Sequence, residues 1–147
     1  MIKTACFVIV LFLLLSCNKE KKTTVNTEEP QQKDTFEMYQ MSEMAALMER
    51  MYDHHETQKK QLEEGKVPDA FPEYLLEIHT AAFTDPSDND EAFKNWANLY
   101  IQYEKSVYSD IENARTHYNN AINVCIMCHQ QKCTGPIPRI KKLLIAE

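Results

Sequence analysis

The sequence predicts an all-α domain, an antiparallel up-down-up-down four-helix bundle. Three observations predict it. The 147 residues include two glycines and six prolines, too little turn punctuation for many short strands. From Asp34 onward apolar side chains recur at spacings of three and four, the period of a helix face. The connections between these stretches are short, which favours antiparallel neighbours. With 44% apolar and 26% charged residues, one domain of this length can bury a core.

The first helix is expected to open at Asp34-Thr35-Phe36-Glu37, a cap residue with a glutamate three positions on. Its stripe runs Met41, Met44, Met48, Met51 and His55, and Gly65 and Pro68 end it. Pro72 suits the first turn of a second helix, Pro72 to about Thr84, with Leu75, Ile78 and Ala82 facing inward. Asp85-Pro86-Ser87-Asp88 reads as a turn. The third helix carries Phe93, Trp96, Tyr100, Tyr103 and Val107, with Trp96 and Tyr100 expected in the core. Ser109-Asp110-Ile111-Glu112 is a second capping box and opens the fourth. That helix has the stripe Ile111, Arg115, Tyr118, Ile122, Cys125 and His129, and Gly135-Pro136 stops it. Pro138 to Ile145 is a short tail that can fold back on the bundle. In this topology the end of the fourth helix lies level with the first turns of the first.

The N-terminus reads as an address. Lys3 precedes eleven unbroken apolar residues, Ala5 to Leu15. As a helix they span about 16 Å, short of the roughly 30 Å bilayer core, so residues 1–16 are expected to be a signal peptide. Leu14-Leu15-Ser16-Cys17 resembles a lipobox, which makes Cys17 the expected lipid attachment site of an exported lipoprotein. Residues 18–33 hold a single apolar side chain, Val25, and cannot repay the entropy of ordering. With Cys17 they form a tether, 17–33, of about 22 Å reach. The domain proper is 34–147, on a membrane and facing the periplasm.

Near the C-terminus stands Cys125-Ile126-Met127-Cys128-His129. C-x-x-C-H is the attachment signature of a c-type haem: two thiols add across the vinyl groups and the imidazole binds iron. On a helix the three residues fall at i, i+3 and i+4, on one face. Two other chemistries use such residues. Cys125, Cys128, His129 and Cys133 are a zinc set by type, but on a continuous helix Cys128 and His129 diverge by about 100°. A redox dithiol prefers a helix N-terminus, where the dipole lowers the thiol pKa. This pair is at a C-terminus. One covalent haem c, with its iron on His129, is the expected cofactor.

A four-helix bundle with C-x-x-C-H near the end of its last helix resembles cytochrome c-prime and the class II c-type cytochromes, over about Asp34 to Cys133. The resemblance implies that a first-helix side chain caps the iron's other face, as an apolar cover or a ligating methionine. Matching Tyr39-Gln40-Met41-Ser42-Glu43-Met44 to the family pattern puts Met44 there, with Met41 and Met48 as haem-binding neighbours. Where that family commonly carries a basic residue four after the histidine, this chain has Cys133.

Methionine stripes are more often plain core than ligands. His54, His55, His79 and His117 are weaker candidates: His54 and His55 lie some 15 Å along the helix from Met44, and His117 about 18 Å from His129. His79 would stand at the haem end. Cys133 is either a small buried hydrophobe or a bridge between two chains, which leaves a homodimer open. The net charge of −6 argues against nucleic acid. From Asn113 to Ala146 there are no acids, yet Arg115, Lys132, Arg139, Lys141 and Lys142 are basic. That stretch could neutralise propionates, dock an acidic redox partner or be a solvated tail.

The expected function is one-electron transfer to redox partner proteins by a membrane-anchored monohaem cytochrome, a carrier and not an enzyme. The alternative is binding of nitric oxide or carbon monoxide at a five-coordinate haem. A peroxidase ranks lower, since no His/Arg pair is evident on the distal side. A purely structural lipoprotein ranks last.

Overall fold

A computed structural model describes residues 40–146 of the chain. The signal peptide, Cys17, the tether and the Asp34–Glu37 capping box lie outside the described residues. Every regular element among the described residues is helical, and none is long and apolar enough to cross a membrane.

The first described helix, α1, runs Glu43–Glu63. Residues 40–42 are not helical, so α1 does not continue unbroken from Asp34. Ser42 caps it instead, its hydroxyl accepting from the Ala45 amide at 3.2 Å. A loop holds this start in place. The Met44 amide donates to the Ala82 carbonyl at 2.9 Å, the Ala82 amide to the Glu43 carboxylate at 2.9 Å, and the Thr84 hydroxyl to that of Ser42 at 2.9 Å. At the other end the Lys66 amide reaches Gln61 and the Gly65 amide reaches Leu62, at 2.9 and 3.1 Å. This is a Schellman closure, and Gly65 takes the left-handed φ of 74° it requires.

The expected second helix is a 3₁₀ segment, Glu73–His79. Three residues per turn set Leu75 and Ile78 on one side, and both are buried as expected. Ala82 is exposed, contrary to the expectation, because it lies outside the helical segment, its amide and carbonyl committed to α1. The turn at Asp85 forms, with its carboxylate accepting from the Ser87 amide at 2.9 Å.

Helix α2, Glu91–Ser109, is capped by Asp90, which accepts from the Phe93 amide at 2.9 Å. Its buried stripe is Phe93, Ala97, Tyr100, Glu104 and Val107, spaced four, three, four, three. The expected stripe took Trp96 and Tyr103, which are half-buried beside it. A short 3₁₀ turn, Ile111–Asn113, precedes α3, Ala114–Lys132. Asp110 does not cap α3. Its carboxylate takes the Asn113 amide and His117 Nε2 at 2.9–3.1 Å, which leaves Ile111 66% exposed at the surface.

Cross-helix pairs give the directions. His55 and Gln58 meet Tyr100 and Glu104, so α1 and α2 run the same way. Tyr118 donates to the His55 carbonyl, while Cys125 and His129 lie beside Met48, so α3 runs against both. The C-terminal tail folds back as α4, Ile137–Ile140, and a 3₁₀ turn, Lys141–Leu143. It buries Ile140, Leu143 and Ile145. The Tyr118 hydroxyl, its one proton shared between the His55 and Leu143 carbonyls, is 3.0 Å from each; Lys59 donates to the Lys142 and Leu144 carbonyls, and Asn119 exchanges two 2.9 Å bonds with Ile145.

The basic stretch is only partly available. Lys132 pairs with Asp90 at 2.6 Å, and Arg139 pairs with Glu49 while stacking 3.6 Å over the Tyr52 ring. Lys141 and Lys142 are exposed.

Candidate functional site

Cys125, Cys128 and His129 occupy the last two turns of α3, and all three are half-buried. The i, i+3, i+4 spacing turns them toward α1 and α2, where Cys125 and Cys128 pack against the main core. Three small cavities, of about 270, 80 and 40 Å³, lie around them, and Met48 and His129 line every one. Cys128 and Met44 line the largest, and Cys125 the other two. Met48 is therefore the first-helix residue most closely shared with His129. Met44 is buried in the wall of the largest cavity, whereas Met41 is 54% exposed and lines none of the three.

The imidazole is oriented. His129 Nδ1 donates to the Cys133 carbonyl at 3.0 Å, where α3 ends, with the Cys133 sulfur 3.2 Å away. A carbonyl only accepts, so a neutral ring in this contact carries its proton on Nδ1 and its lone pair on Nε2. Metal-binding histidines are held in one tautomer by this kind of bond. Burial pushes the Cys125 thiol up to about 12, with Glu104 and Cys128 adding to the shift. Cys128 rises to about 11, again mainly through burial. Both stay protonated near neutral pH, unlike the acidic thiols of dithiol exchange.

By residue type, Cys125, Cys128 and His129 are the donors that would hold a covalently attached haem. Two thiols and one lone-pair imidazole share a face, beside apolar walls and a flexible thioether. All three cavities adjoin Met48, an unbranched and flexible side chain. The zinc set fits worse. Among the described residues, the group of three or more His, Cys, Asp or Glu ligand atoms that converges is His54, His55 and Glu104, and no cysteine belongs to it.

The other histidines divide. His79 is exposed at the end of its 3₁₀ segment, and His117 pairs with Asp110 at 2.9 Å. His55 is only 2% exposed, with Nδ1 3.0 Å from the Gln58 amide oxygen and Nε2 3.0 Å from the Tyr100 hydroxyl. Gln58 in turn donates to Glu104 at 2.7 Å and to Tyr108 at 3.1 Å. Glu104 is completely buried. Burial opposes its ionisation, but the neighbouring imidazoles and the Gln58 amide outweigh that and hold its pKa below the usual carboxylate range. Burial holds the His55 pKa low, against the pull of Glu104.

Sequence reasoning missed Glu104 and Gln58. The signal was present: position 104 completes the four-three-four-three stripe of α2, so an acid stands where an apolar side chain belongs. No family model, curated protein or solved structure matches the chain, so the functional reading stands on these residues alone.

Proposed function

We propose that the chain is an exported, lipid-anchored monohaem c-type cytochrome that carries single electrons between partner proteins. The orientation of His129 carries this reading: its Nδ1–H is tied to the Cys133 carbonyl, leaving Nε2 as a ligand on the face shared with Cys125 and Cys128. Bound there, haem c would supply an iron centre that changes oxidation state by one electron. Cys125 and Cys128 would hold it through thioethers. Met48 or Met44, on α1, would cover or ligate the iron, and the lining of every cavity by both Met48 and His129 supports Met48 over Met44. Phe93 and Trp96 would pack against the ring and exclude water. The fold proposed for this role is the up-down-up-down four-helix bundle, with the 3₁₀ segment at Glu73–His79 as its short second member. Cys17 would anchor the domain on the membrane through the tether, facing the periplasm.

A second reading follows from the chemistry of the α1 wall. Methionine either ligates or merely covers, and a covering thioether leaves a five-coordinate site for nitric oxide or carbon monoxide. One set of absorption spectra, oxidised, reduced and with carbon monoxide, separates the two. Electron transfer expects a low-spin form that Met48→Ala converts to high spin. A high-spin wild type with rapid carbon monoxide binding supports the gas-binding reading instead.

A further inference from the structure

We propose that His54, His55 and Glu104 form a second metal site, separate from the C-x-x-C-H motif, that takes a zinc-class divalent cation between α1 and α2. One ligand atom from each lies within 4.8 Å of the others. His54 Nε2 is 3.3 Å from Glu104 Oε1, and His55 Nδ1 is 4.0 Å from Oε2. Bonds of about 2.0–2.2 Å from a tetrahedral ion place ligand atoms roughly 3.3–3.6 Å apart, so small side-chain movements close the set.

Charge supplies an independent argument. Glu104 is fully buried, and its Oε2 has no hydrogen-bond partner. Among the described residues its ion-pair partners are His54 and His55, not a lysine or arginine. A buried carboxylate needs a cation, and a divalent ion between the three groups provides it.

The surroundings resemble the outer shell of a metal centre. Tyr100 holds His55 Nε2 at 3.0 Å, and Gln58 steadies Glu104 at 2.7 Å. Coordination through His55 Nδ1 shifts the ring proton to Nε2, which then donates to the Tyr100 oxygen. The bond from Nδ1 to Gln58 Oε1 is given up, freeing that oxygen as a fourth ligand. Two imidazoles and one carboxylate suit zinc by ligand type. The His54 side chain is 16% exposed and marks the way in from solvent.

The site does not depend on the haem proposal, and the two fail separately. The test is zinc content by elemental mass spectrometry, on the purified full chain, after removal of metal with a chelator, addition of zinc chloride and dialysis. Haem is measured in parallel. The expected result is one zinc per chain beyond any haem iron, and a raised Tm with zinc. Glu104→Gln and His54→Ala should each weaken zinc retention at least tenfold, whereas Cys133→Ser retains it. His54→Ala changes a rim residue and keeps the test open if Glu104→Gln does not fold. No retained zinc in the wild type overturns the proposal, with the cluster then a hydrogen-bonded network of His54, His55, Gln58 and Glu104. So does zinc that survives His54→Ala and is lost in Cys133→Ser.

Discussion

The direction of one hydrogen bond decides what His129 can do. With its proton on Nδ1 and bound to the Cys133 carbonyl, the ring presents Nε2 in ligand form. Under the proposed haem attachment, His129→Ala should leave the thioether bonds intact while changing the spectrum, because it would remove the imidazole offered to iron and neither thiol. Buried titration sets a second residue-scale expectation. Burial holds the His55 pKa below the ordinary imidazole value of about 6.5, so the unfolded chain binds the extra proton first as pH falls. Stability is therefore complete above about pH 6.5 and declines below it. Glu104 is also held below the usual carboxylate range, and its contribution is lost as pH falls further, through the folded-state pKa. Melts in the presence of a chelator should show both limbs, and Glu104→Gln should abolish the lower one. A Tm that does not fall between pH 7 and about pH 5 would contradict the His55 assignment, and one with no further fall below about pH 4.5 would contradict that of Glu104.

Among the elements, the ends of α1 carry the clearest local chemistry. Gly65→Ala forces a Cβ into the left-handed region, where nothing crowds it sterically but φ is 74°. It should destabilise the fold by about 1 kcal/mol. Ser42→Ala removes the cap bond to Ala45 and should cost a similar amount, about 1 kcal/mol. Leu75→Ala empties a fully buried position in the 3₁₀ segment and should cost about 3 kcal/mol. Denaturant midpoints at constant m-value read all three. The helical periods of α2 and α3 and the glycine stop of α1 were legible in the sequence, because caps, breakers and three-four spacing are local signals. The start of α1 was misplaced because Ser42 competes with Asp34 as a cap, and the contacts that select Ser42 come from Ala82 and Thr84, some forty residues away. The second helix shrank for the same reason: Ala82 spends its backbone bonds on α1.

At the scale of the whole molecule, the motif was legible and its surroundings were only partly so. The antiparallel placement of His129 against the first helix follows from helix order, yet a shift of one turn separates Met44 from Met48, and only side-chain packing chooses between them. Glu104 was missed because a half-apolar stripe can be drawn through Tyr103 equally well, and burial distinguishes the two only after α1 is docked. Beyond the described residues, Cys17 is expected to hold the domain on a membrane. Cys17→Ser should release it into the soluble fraction, and continued membrane association would remove the anchor from the account. The central claim is covalent haem at Cys125 and Cys128. The intact mass of the mature protein, produced with c-type maturation, tests it most directly. The predicted result is one covalently bound haem per chain, absent from the Cys125→Ser, Cys128→Ser double variant. An unmodified polypeptide mass under those conditions would contradict it.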